Sequence, residues 1–455
     1  MNTKTWNICD YSACFSDQLQ TEKIQKAIDD CFLAGGGRVV VPCGVYVTGS
    51  IRLRSHVELY LETGAILKGS RNPEDYFGYR EDKLEPVTIE EVGNTPQTGR
   101  SAIATSRWSN GLLRAFDAED IAVIGEKGSY IDGCNVYDPI GENDCRGPHG
   151  MSFWRCRNIR LEGYTFINSS NWCHAIFKSQ NITVRNIAVY GGFDGFDVRT
   201  CDNVLVENSQ FHTGDDCIAG YDNNDVVIRN CVLNTACMPL RFGGNNVLVE
   251  NCVSDERRFG QRLNLELQNK IRGTMSDETC RHESHTPFSY YCDHRADPRK
   301  PAENIIIRNC RFEQARELIR LEFDGIHRWC CNRSMRGIRF EDCRIADLIA
   351  TGMLWGDENE KVICHFKNVT ITCRKGYEKV PLLAAGNFEK IIFEDCTLEG
   401  FDNPTILAGT DDPVEVIRST PITVKRTTKE ECVKAHPTGL ASQDKGKDPK
   451  NLRFI

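Results

Sequence analysis

The chain carries a repeating pattern of polar and apolar positions. At five places an asparagine or aspartate precedes a short alternating run of β-branched residues, and the first apolar residues of successive runs lie 23, 22, 22 and 21 residues apart. A fixed period in this range is typical of a solenoid whose turns contribute strands to parallel sheets. We therefore predict an all-β solenoid. The five starts are Asn158-Ile159, Asn181-Ile182, Asn203-Val204, Asp225-Val226 and Asn246-Val247.

A helical pattern precedes the repeats. Residues 21–33 place five apolar side chains on one helical face, and Thr21 is a candidate N-cap. We expect this helix, within a cap over residues 1–35, to cover the open end of the solenoid, which otherwise exposes a sheet edge and an apolar core. The face consists of Ile24, Ala27, Ile28, Cys31 and Phe32.

Two polar stretches interrupt the repeats. Residues 71–117 and 254–303 have no sustained period, and we expect long loops at the rim of the solenoid, where binding residues concentrate. Residues 420–455 form a polar tail that we expect to be loosely attached. The repeats on both sides of the interruptions favour a single domain that spans residues 1–455. After the second interruption, turns are predicted to return at Ile305, Ile338, Val369 and Ile391.

Cysteines follow the repeat as well. The chain has 23, and five of them each lie five residues after the first apolar residue of a turn. One repeat position means one orientation, so we predict an inward stack of free, buried thiols rather than a disulfide ladder. Free thiols and a start without a secretory signal pattern favour a cytoplasmic location. The five are Cys231, Cys252, Cys310, Cys343 and Cys396.

Composition excludes some partners. The 455 residues have a formal net charge of −8, which argues against a general nucleic-acid surface. No apolar run approaches the roughly 18 residues of a membrane span. We expect neither nucleic acid nor membrane as a partner, while an acidic substrate stays compatible with local basic groups.

The candidate chemistry lies in an acidic group. Asp194 and the pair Asp215-Asp216 are one repeat apart, so the pattern predicts carboxylates about one strand spacing, roughly 5 Å, from each other in one cleft. Clustered carboxylates raise the pKa of one member, which lets it hold a proton near neutral pH. The alternative is that Gly214-Asp215-Asp216 is only a solvated turn.

These residues belong to motifs that resemble the family 28 glycoside hydrolases, the polygalacturonases and their relatives. The resemblance covers roughly residues 20–255 and implies a right-handed parallel β-helix that cleaves glycosidic bonds with inversion. It also implies that Asp215 is the general acid and that Asp194 and Asp216 activate water. The similar stretches are Ala34 to Tyr46 with Thr48-Gly49-Ser50, Gly147-Pro148-His149, Asn168 to Trp172, Phe193 to Asp197, and Thr213 to Ala219.

Two elements of the family differ here. In place of its Gly-His-Gly element the chain has the stretch from Ala236 to Gly244, which contains no histidine, and the later Arg-Ile-Lys element, which binds the substrate carboxylate, has no clean counterpart. Arg241 or Arg320 is a candidate to replace that contact, because a guanidinium pairs bidentately with a carboxylate. A salt-bridge role is the alternative for each arginine.

Three further side chains are candidates for substrate binding. His174 and His212 lie near the acidic group in repeat terms, and Trp172 is able to stack on a sugar face. Structural histidines and interior aromatic packing are the alternatives.

A cluster of cysteines and histidines lies within the second polar stretch. Its spacing fits no named zinc motif, and we expect neither a cofactor nor a catalytic metal; a zinc staple or histidines lining the cleft remain alternatives. The cluster consists of Cys280, His282, His285, Cys292 and His294.

The sequence therefore predicts a glycoside hydrolase that acts from the chain end of plant-type or pectic oligosaccharides. Exo action is inferred from the long rim loops and the expected location. A uronide lyase or epimerase on the same fold is one alternative. A carbohydrate-binding solenoid without catalysis is another. The sequence does not determine the oligomeric state.

Overall fold

A computed structural model describes residues 4–78, 107, 109–142, 146–235, 237–255, 284–292, 302–327, 330 and 333–436. The chain divides into two compact units, unit 1 (residues 1–214) and unit 2 (residues 215–455). That residues 1–455 form a single domain remains a prediction, which this division into units does not test. Both units are parallel β-helices with few helical segments. Neither described α-helix has the length and apolar composition needed to cross a bilayer.

Unit 1 contains strands of two parallel sheets, preceded by a helix, α1 (Thr21–Leu33). Short 3₁₀ helices span Ile8–Tyr11 and Pro73–Asp75. The strands are β1 (Thr5–Asn7), β2 (Gly37–Val41), β3 (Gly44–Thr48), β4 (Ile51–Arg52), β5 (Val57–Leu61), β6 (Ala65–Gly69), β7 (Gly111–Phe116), β8 (Glu119–Gly125), β9 (Tyr130–Asp132), β10 (Tyr137–Glu142), β11 (His149–Trp154), β12 (Arg157–Glu162), β13 (Thr165–Ile167), β14 (His174–Phe177), β15 (Gln180–Arg185), β16 (Ala188–Gly191), β17 (Phe196–Arg199), β18 (Asp202–Glu207) and β19 (Gln210–Thr213).

Unit 2 repeats this arrangement and has one described helix, α2 (Lys429–Ala435). Its strands are β20 (Ile218–Arg229), β21 (Val232–Thr235), β22 (Leu240–Glu250), β23 (Val253–Ser254), β24 (Phe288–Tyr290), β25 (Ile305–Arg308), β26 (Arg311–Phe312), β27 (Arg320–Glu322), β28 (Gly337–Glu341), β29 (Arg344–Leu348), β30 (Gly352–Trp355), β31 (Val362–Lys367), β32 (Thr370–Cys373), β33 (Leu383–Gly386), β34 (Phe388–Glu394), β35 (Thr397–Glu399), β36 (Thr405–Ala408), β37 (Val414–Ile417) and β38 (Thr423–Arg426).

The predicted repeat is confirmed by strand register. In unit 1, Ile159 pairs with Ile182, and Ile182 pairs with Val204. In unit 2, Val226 pairs with Val247. These side chains are at most 2% exposed, so each turn adds one apolar residue to a continuous interior stack.

One later turn was assigned to the wrong residue. The partner of Ile338 is Cys364, whereas the sequence predicted Val369. Val369 follows Asn368, which has a positive φ of 51°, and it therefore occupies the position that cysteines hold on other turns. Counting from an apolar residue alone cannot separate these two buried positions.

The backbone conformation explains why a polar residue starts each run. Asn158, Asn181 and Asn203 have φ angles of 57°, 55° and 56°, in the left-handed region that asparagine tolerates better than most residues. Their side-chain amides also bond to each other along the stack: Asn181 Nδ2 donates to Asn158 Oδ1 at 2.9 Å, and Asn203 Nδ2 donates to Asn181 Oδ1 at 3.0 Å. In unit 2, Asn246 Nδ2 donates to Asp225 Oδ1 at 3.0 Å in the same way.

The amino-terminal helix spans the predicted residues, and it packs against the first strands of unit 1. Four of its five predicted apolar residues are fully buried, while Phe32 is half-buried. The predicted N-cap is wrong. Gln20 occupies that position, and the Thr21 hydroxyl instead accepts a hydrogen bond from the backbone N–H of Gly49 at 2.8 Å. The Thr21 hydroxyl therefore makes a tertiary hydrogen bond instead of capping the helix.

The inward thiol stack is confirmed. All five cysteines are at most 4% exposed, and each Sγ donates to the carbonyl two residues earlier, for example Cys252 to Glu250 at 3.3 Å and Cys310 to Arg308 at 3.2 Å. The thiol thus satisfies a turn carbonyl while filling the interior. Ser419 places its hydroxyl on the Ile417 carbonyl at 2.9 Å in the same manner. Every cysteine in the part of the chain described is free.

Two predicted loop stretches need correction. β7 lies inside the stretch 71–117, and all six of its residues are buried. β24 lies inside the stretch 254–303, also fully buried. β24 has only three residues, which is too few to show a period, and the apolar run of β7 is interrupted by Arg114. The rest of both stretches lies largely outside the described residues.

The tail was predicted to be loosely attached, and this is wrong for residues 420–436. β38 pairs with β36, and Cys432 of α2 is fully buried against Met353, Trp355 and Ala384. His436 then bonds to the Glu322 carboxylate at 3.0 Å. Residues 437–455 lie outside the described part of the chain.

Replacing Asn181 by alanine should destabilise the protein by about 1–3 kcal/mol, because alanine loses two ladder hydrogen bonds and strains a left-handed backbone. Asn181→Gly keeps the backbone conformation and should lose only the ladder, about 1 kcal/mol or less. The measurement is the urea unfolding midpoint of both variants. Equal losses for alanine and glycine would contradict the backbone explanation.

Candidate active site

The acidic pair of unit 2 lies just before β20 and consists of two carboxylates in different surroundings. Asp216 is fully buried, whereas Asp215 is partly exposed. Arg241, on β22, holds its Nη1 3.4 Å from Asp216 Oδ2. The structure thus brings together a buried carboxylate, a more accessible carboxylate and a guanidinium. This arrangement favours a functional site over the alternative, a solvated turn.

The environment changes the proton affinity of Asp216. Burial, together with the neighbouring charge of Asp215, raises the pKa of the Asp216 carboxyl to about 7 against the lowering effect of the Arg241 guanidinium. A carboxyl with this pKa is able to take up or release a proton near neutral pH, as general acid–base catalysis requires.

Thr235 connects the acidic pair to the adjacent turn. Its hydroxyl donates to the Asp215 carbonyl at 2.5 Å and accepts from the Cys237 N–H at 2.8 Å. The Cys237 carbonyl in turn accepts from the His285 N–H at 2.7 Å. Cys237 also hydrogen-bonds to the Asp216 carboxylate and lowers its pKa. Cys237 is therefore fixed beside the two acids.

The two candidate arginines have different surroundings. Arg241 packs its guanidinium 4.1 Å from the centre of the Tyr291 ring, and its side chain is 22% exposed. Arg320 is only 5% exposed and forms a bidentate ion pair with Glu317. For Arg320 the geometry favours the salt-bridge alternative, because a buried and neutralised guanidinium offers little to a substrate carboxylate.

In unit 1, Asp194 lies in the turn between β16 and β17. It is 4% exposed, and its carbonyl accepts from the Cys173 N–H at 2.8 Å. Burial raises the pKa of the Cys173 thiol to about 12, and the charge of Asp194 contributes to that shift. Asp194 is thus held in a tight turn beside an un-ionised thiol.

His174 is a structural residue rather than an accessible one. Its side chain is fully buried, Nδ1 donates to the Gly195 carbonyl at 2.8 Å, and the Tyr164 hydroxyl donates to Nε2 at 2.8 Å. Burial lowers the pKa of His174 to about 4. Both ring nitrogens are occupied, so the structure favours the structural alternative over substrate binding.

His212 and Trp172 are also packed within unit 1. The His212 ring stacks on Tyr190 with centroids 4.9 Å apart, and it is 6% exposed. Trp172 is 8% exposed, and the Arg199 guanidinium lies 4.5 Å from its ring centre. Both side chains therefore pack in the interior of the unit rather than at an exposed surface where a sugar could stack. Their roles in substrate binding stay predictions.

One buried ion pair was not predicted. Arg199 Nε donates to Asp197 Oδ1 at 2.7 Å, and both residues are nearly inaccessible. Both lie on β17, two positions apart, so strand alternation places them on one face. That spacing was readable in the Asp197-Val198-Arg199 sequence and would have predicted the pair.

The cysteine and histidine cluster is only partly described. His285 and Cys292 are 5% and 1% exposed. Cys280, His282 and His294 lie outside the described residues, so the zinc alternative stays a prediction.

Residues 83–237 match the model of the glycosyl hydrolases family 28, a segment that contains all three candidate acids and ends at Cys237. Over this segment the chain is similar to the family 28 glycoside hydrolases. The predicted resemblance is therefore confirmed.

Curated proteins similar to this chain agree with that match. The chain is 28% identical over 256 residues to an exo-poly-alpha-D-galacturonosidase from Dickeya chrysanthemi, covering 47% of this chain and 41% of that protein. It is 26% identical over 214 residues to a protein named "Probable polygalacturonase" from Vitis vinifera, covering 44% and 40%. The chain thus spans about two fifths of the length of these relatives.

Solved structures confirm the right-handed parallel β-helix. An exopolygalacturonase from Thermotoga maritima aligns with a TM-score of 0.61 and 21% identity, over 86% of this chain and 92% of that one. A family 28 exopolygalacturonase from Yersinia enterocolitica aligns with a TM-score of 0.55 and 18% identity, over 94% and 79%. At these identities the likeness establishes the fold.

The buried neutral His174 should make stability depend on pH. The pKa of His174 is about 4 in the folded protein, against about 6.5 for an ordinary histidine, so between these pH values the unfolded state binds the extra proton. Stability contributed by His174 is then complete above pH 6.5 and is lost as pH falls, by up to about 3 kcal/mol near pH 4.

The measurement compares urea unfolding midpoints at pH 7 and pH 5 for the wild type and His174→Gln. His174→Gln should be less stable than the wild type at pH 7, but its stability should fall less between pH 7 and pH 5. The same substitution at the exposed His56 is the control and should keep the wild-type loss. An unchanged pH dependence in His174→Gln would refute the assignment.

Proposed function

We propose that the chain is a glycoside hydrolase that cleaves pectic or related plant-type oligosaccharides with inversion, acting from the chain end. The match to the glycosyl hydrolases family 28 supports hydrolysis of glycosidic bonds. The relative from Dickeya chrysanthemi is named for exo action on poly-alpha-D-galacturonide, which supports both the substrate class and the exo mode.

The single observation that carries this proposal is the asymmetric acidic pair. A partly exposed Asp215 beside a buried Asp216 provides one carboxyl that is able to meet a substrate oxygen and one whose raised pKa, about 7, suits proton transfer near neutral pH. Most solvated Gly-Asp turns lack both the burial and the adjacent guanidinium.

The proposed roles follow the requirements of inversion. Asp215 donates a proton to the leaving oxygen, and Asp194 and Asp216 activate the attacking water. Arg241 supports the pair by limiting the rise in the pKa of Asp216. Thr235 holds the Asp215 carbonyl and keeps the turn in place.

Arg241 also supports a uronide substrate. Of the two candidate arginines it is the more exposed, and its stacking on Tyr291 fixes the plane of the guanidinium. A planar, oriented guanidinium is suited to a sugar carboxylate. We propose that it replaces the carboxylate contact that the family places elsewhere.

A cytoplasmic location remains part of the proposal. It is supported by the free thiols of all described cysteines, several of them in an interior stack that a reducing compartment maintains. Cell fractionation with an antibody to the native protein would test it, and recovery with the secreted fraction would overturn it.

Asp215→Asn should reduce product release by about a hundredfold or more, because the amide cannot donate the catalytic proton. The assay combines short oligogalacturonides with a panel of neutral α- and β-linked oligosaccharides. Asp225→Asn is the matched control. It makes the same change on an exposed ladder residue of the same unit and should leave turnover unchanged.

The products distinguish the alternatives. Inversion and exo action predict a single small product whose first-formed anomer has the opposite configuration, observable by proton NMR. A product absorbing in the ultraviolet would indicate a lyase. Binding without turnover would indicate a carbohydrate-binding protein. Asp215→Asn retaining a tenth of wild-type activity would exclude Asp215 as the acid.

Arg241→Lys should raise KM for oligogalacturonides by about tenfold or more, because the lysine keeps a positive charge but loses the bidentate contact with a carboxylate. Cleavage of any neutral oligosaccharide should change much less. Arg339→Lys on the exposed face of β28 is the control. Equal losses on uronide and neutral substrates would show that Arg241 acts only through Asp216.

A further inference from the structure

Asp215, Asp216 and Cys237 form a compact group of three metal-binding side chains in unit 2. One donor atom from each, two carboxylate oxygens and a sulfur, lies within 4.8 Å of the other two. Zinc holds such donors at about 2.0–2.3 Å, so the three need to close by roughly an ångström around an ion. A shift of that size is available to side chains without moving the backbone.

Asp216 supplies an independent indication of a ligand. Its side chain is fully buried, and within the described part of the chain its Oδ1 has no hydrogen-bond partner. A buried carboxylate oxygen without a partner is costly, and such atoms in native proteins call for an explanation. The Arg241 contact engages Oδ2 and leaves Oδ1 available.

Backbone and side-chain contacts hold the three donors in place. The Thr235 hydroxyl joins the backbone of Asp215 to that of Cys237, at 2.5 and 2.8 Å. The next residues of both segments are paired as well, since the Cys217 N–H donates to the Met238 carbonyl at 3.0 Å. Ligands oriented by second contacts of this kind bind metal more tightly than ligands on a mobile loop.

The charges and donor types fit one class of ion. Two carboxylates and a thiolate carry three negative charges, Arg241 carries one positive charge, and a dication brings the sum to zero. A thiolate with carboxylates selects Zn²⁺ or a similar thiophilic ion over Mg²⁺ or Ca²⁺, which prefer oxygen alone.

We propose that Asp215, Asp216 and Cys237 form a binding site for a thiophilic divalent cation of the Zn²⁺ class. Cys237 supplies the sulfur that makes the site thiophilic. If the proposed function is also correct, the bound ion occupies both members of the acidic pair and inhibits hydrolysis. Binding itself does not depend on that function.

The test titrates the purified full-length protein with Zn²⁺ by calorimetry and with Co²⁺ by absorbance. Wild type should bind one ion at this site, and Co²⁺ should give a sulfur-to-cobalt charge-transfer band. Cys237→Ser should remove the band and weaken binding by at least about tenfold, and Asp216→Asn should weaken it similarly while keeping the band.

Cys373→Ser is the matched control, because Cys373 is also a half-buried thiol of unit 2 with carboxylates nearby. It should bind as wild type does. Circular dichroism confirms that each variant is folded, and Asp215→Asn substitutes for Asp216→Asn if the buried change prevents folding.

Absence of a charge-transfer band in wild type would overturn the proposal. So would binding that Cys237→Ser leaves unchanged, which would place the ion elsewhere, for example at the cluster from Cys280 to His294. Zinc binding with no detectable hydrolase activity would uphold this site while refuting the proposed function. The two failures are therefore distinguishable.

Discussion

The structure depends on in-register stacking of parallel turns. Each strand hydrogen-bonds to residues about one repeat away, and a slip of one residue would turn every interior side chain outward. Left-handed asparagines fix where each turn bends, and their side-chain amides bond to the turns before and after. Register and bend position are thereby specified together.

The same stacking brings polar groups into the interior at chosen positions. The thiol stack shows how a polar atom is tolerated there, because each Sγ donates to a turn carbonyl. The acidic pair is a different case. Asp216 is buried with one guanidinium contact, and its raised pKa records the cost of desolvation. A regular scaffold thus holds one irregular, costly group, as functional sites commonly do.

Cys237 gives this site its particular chemistry. Cys237 is fixed by Thr235 on one side and by the His285 N–H on the other, so its thiol is held beside two carboxylates. A neutral thiol donates a hydrogen bond, whereas a thiolate binds soft cations. One position therefore links the proposed acid catalysis to a proposed response to metal ions.

Errors in the sequence analysis share a physical cause. Val369 and Cys364 are both buried, so hydrophobicity alone did not distinguish a strand position from a turn position. Thr21 was expected to cap its own helix, but Gly49 offered its hydroxyl a tertiary partner. Cys432 and His436 looked like part of a polar tail because their partners, Met353 and Glu322, are about 80 and 110 residues away.

The sequence by itself determined the repeat, the bends and the acidic residues. A period near 22 residues and an asparagine before each run are local features, and both follow from backbone sterics. Only the tertiary structure decided accessibility. It buried His174 and Arg320 among partners, left Arg241 partly open and separated Asp215 from Asp216 by burial. Burial depends on neighbours from distant turns, and no window of sequence contains those neighbours.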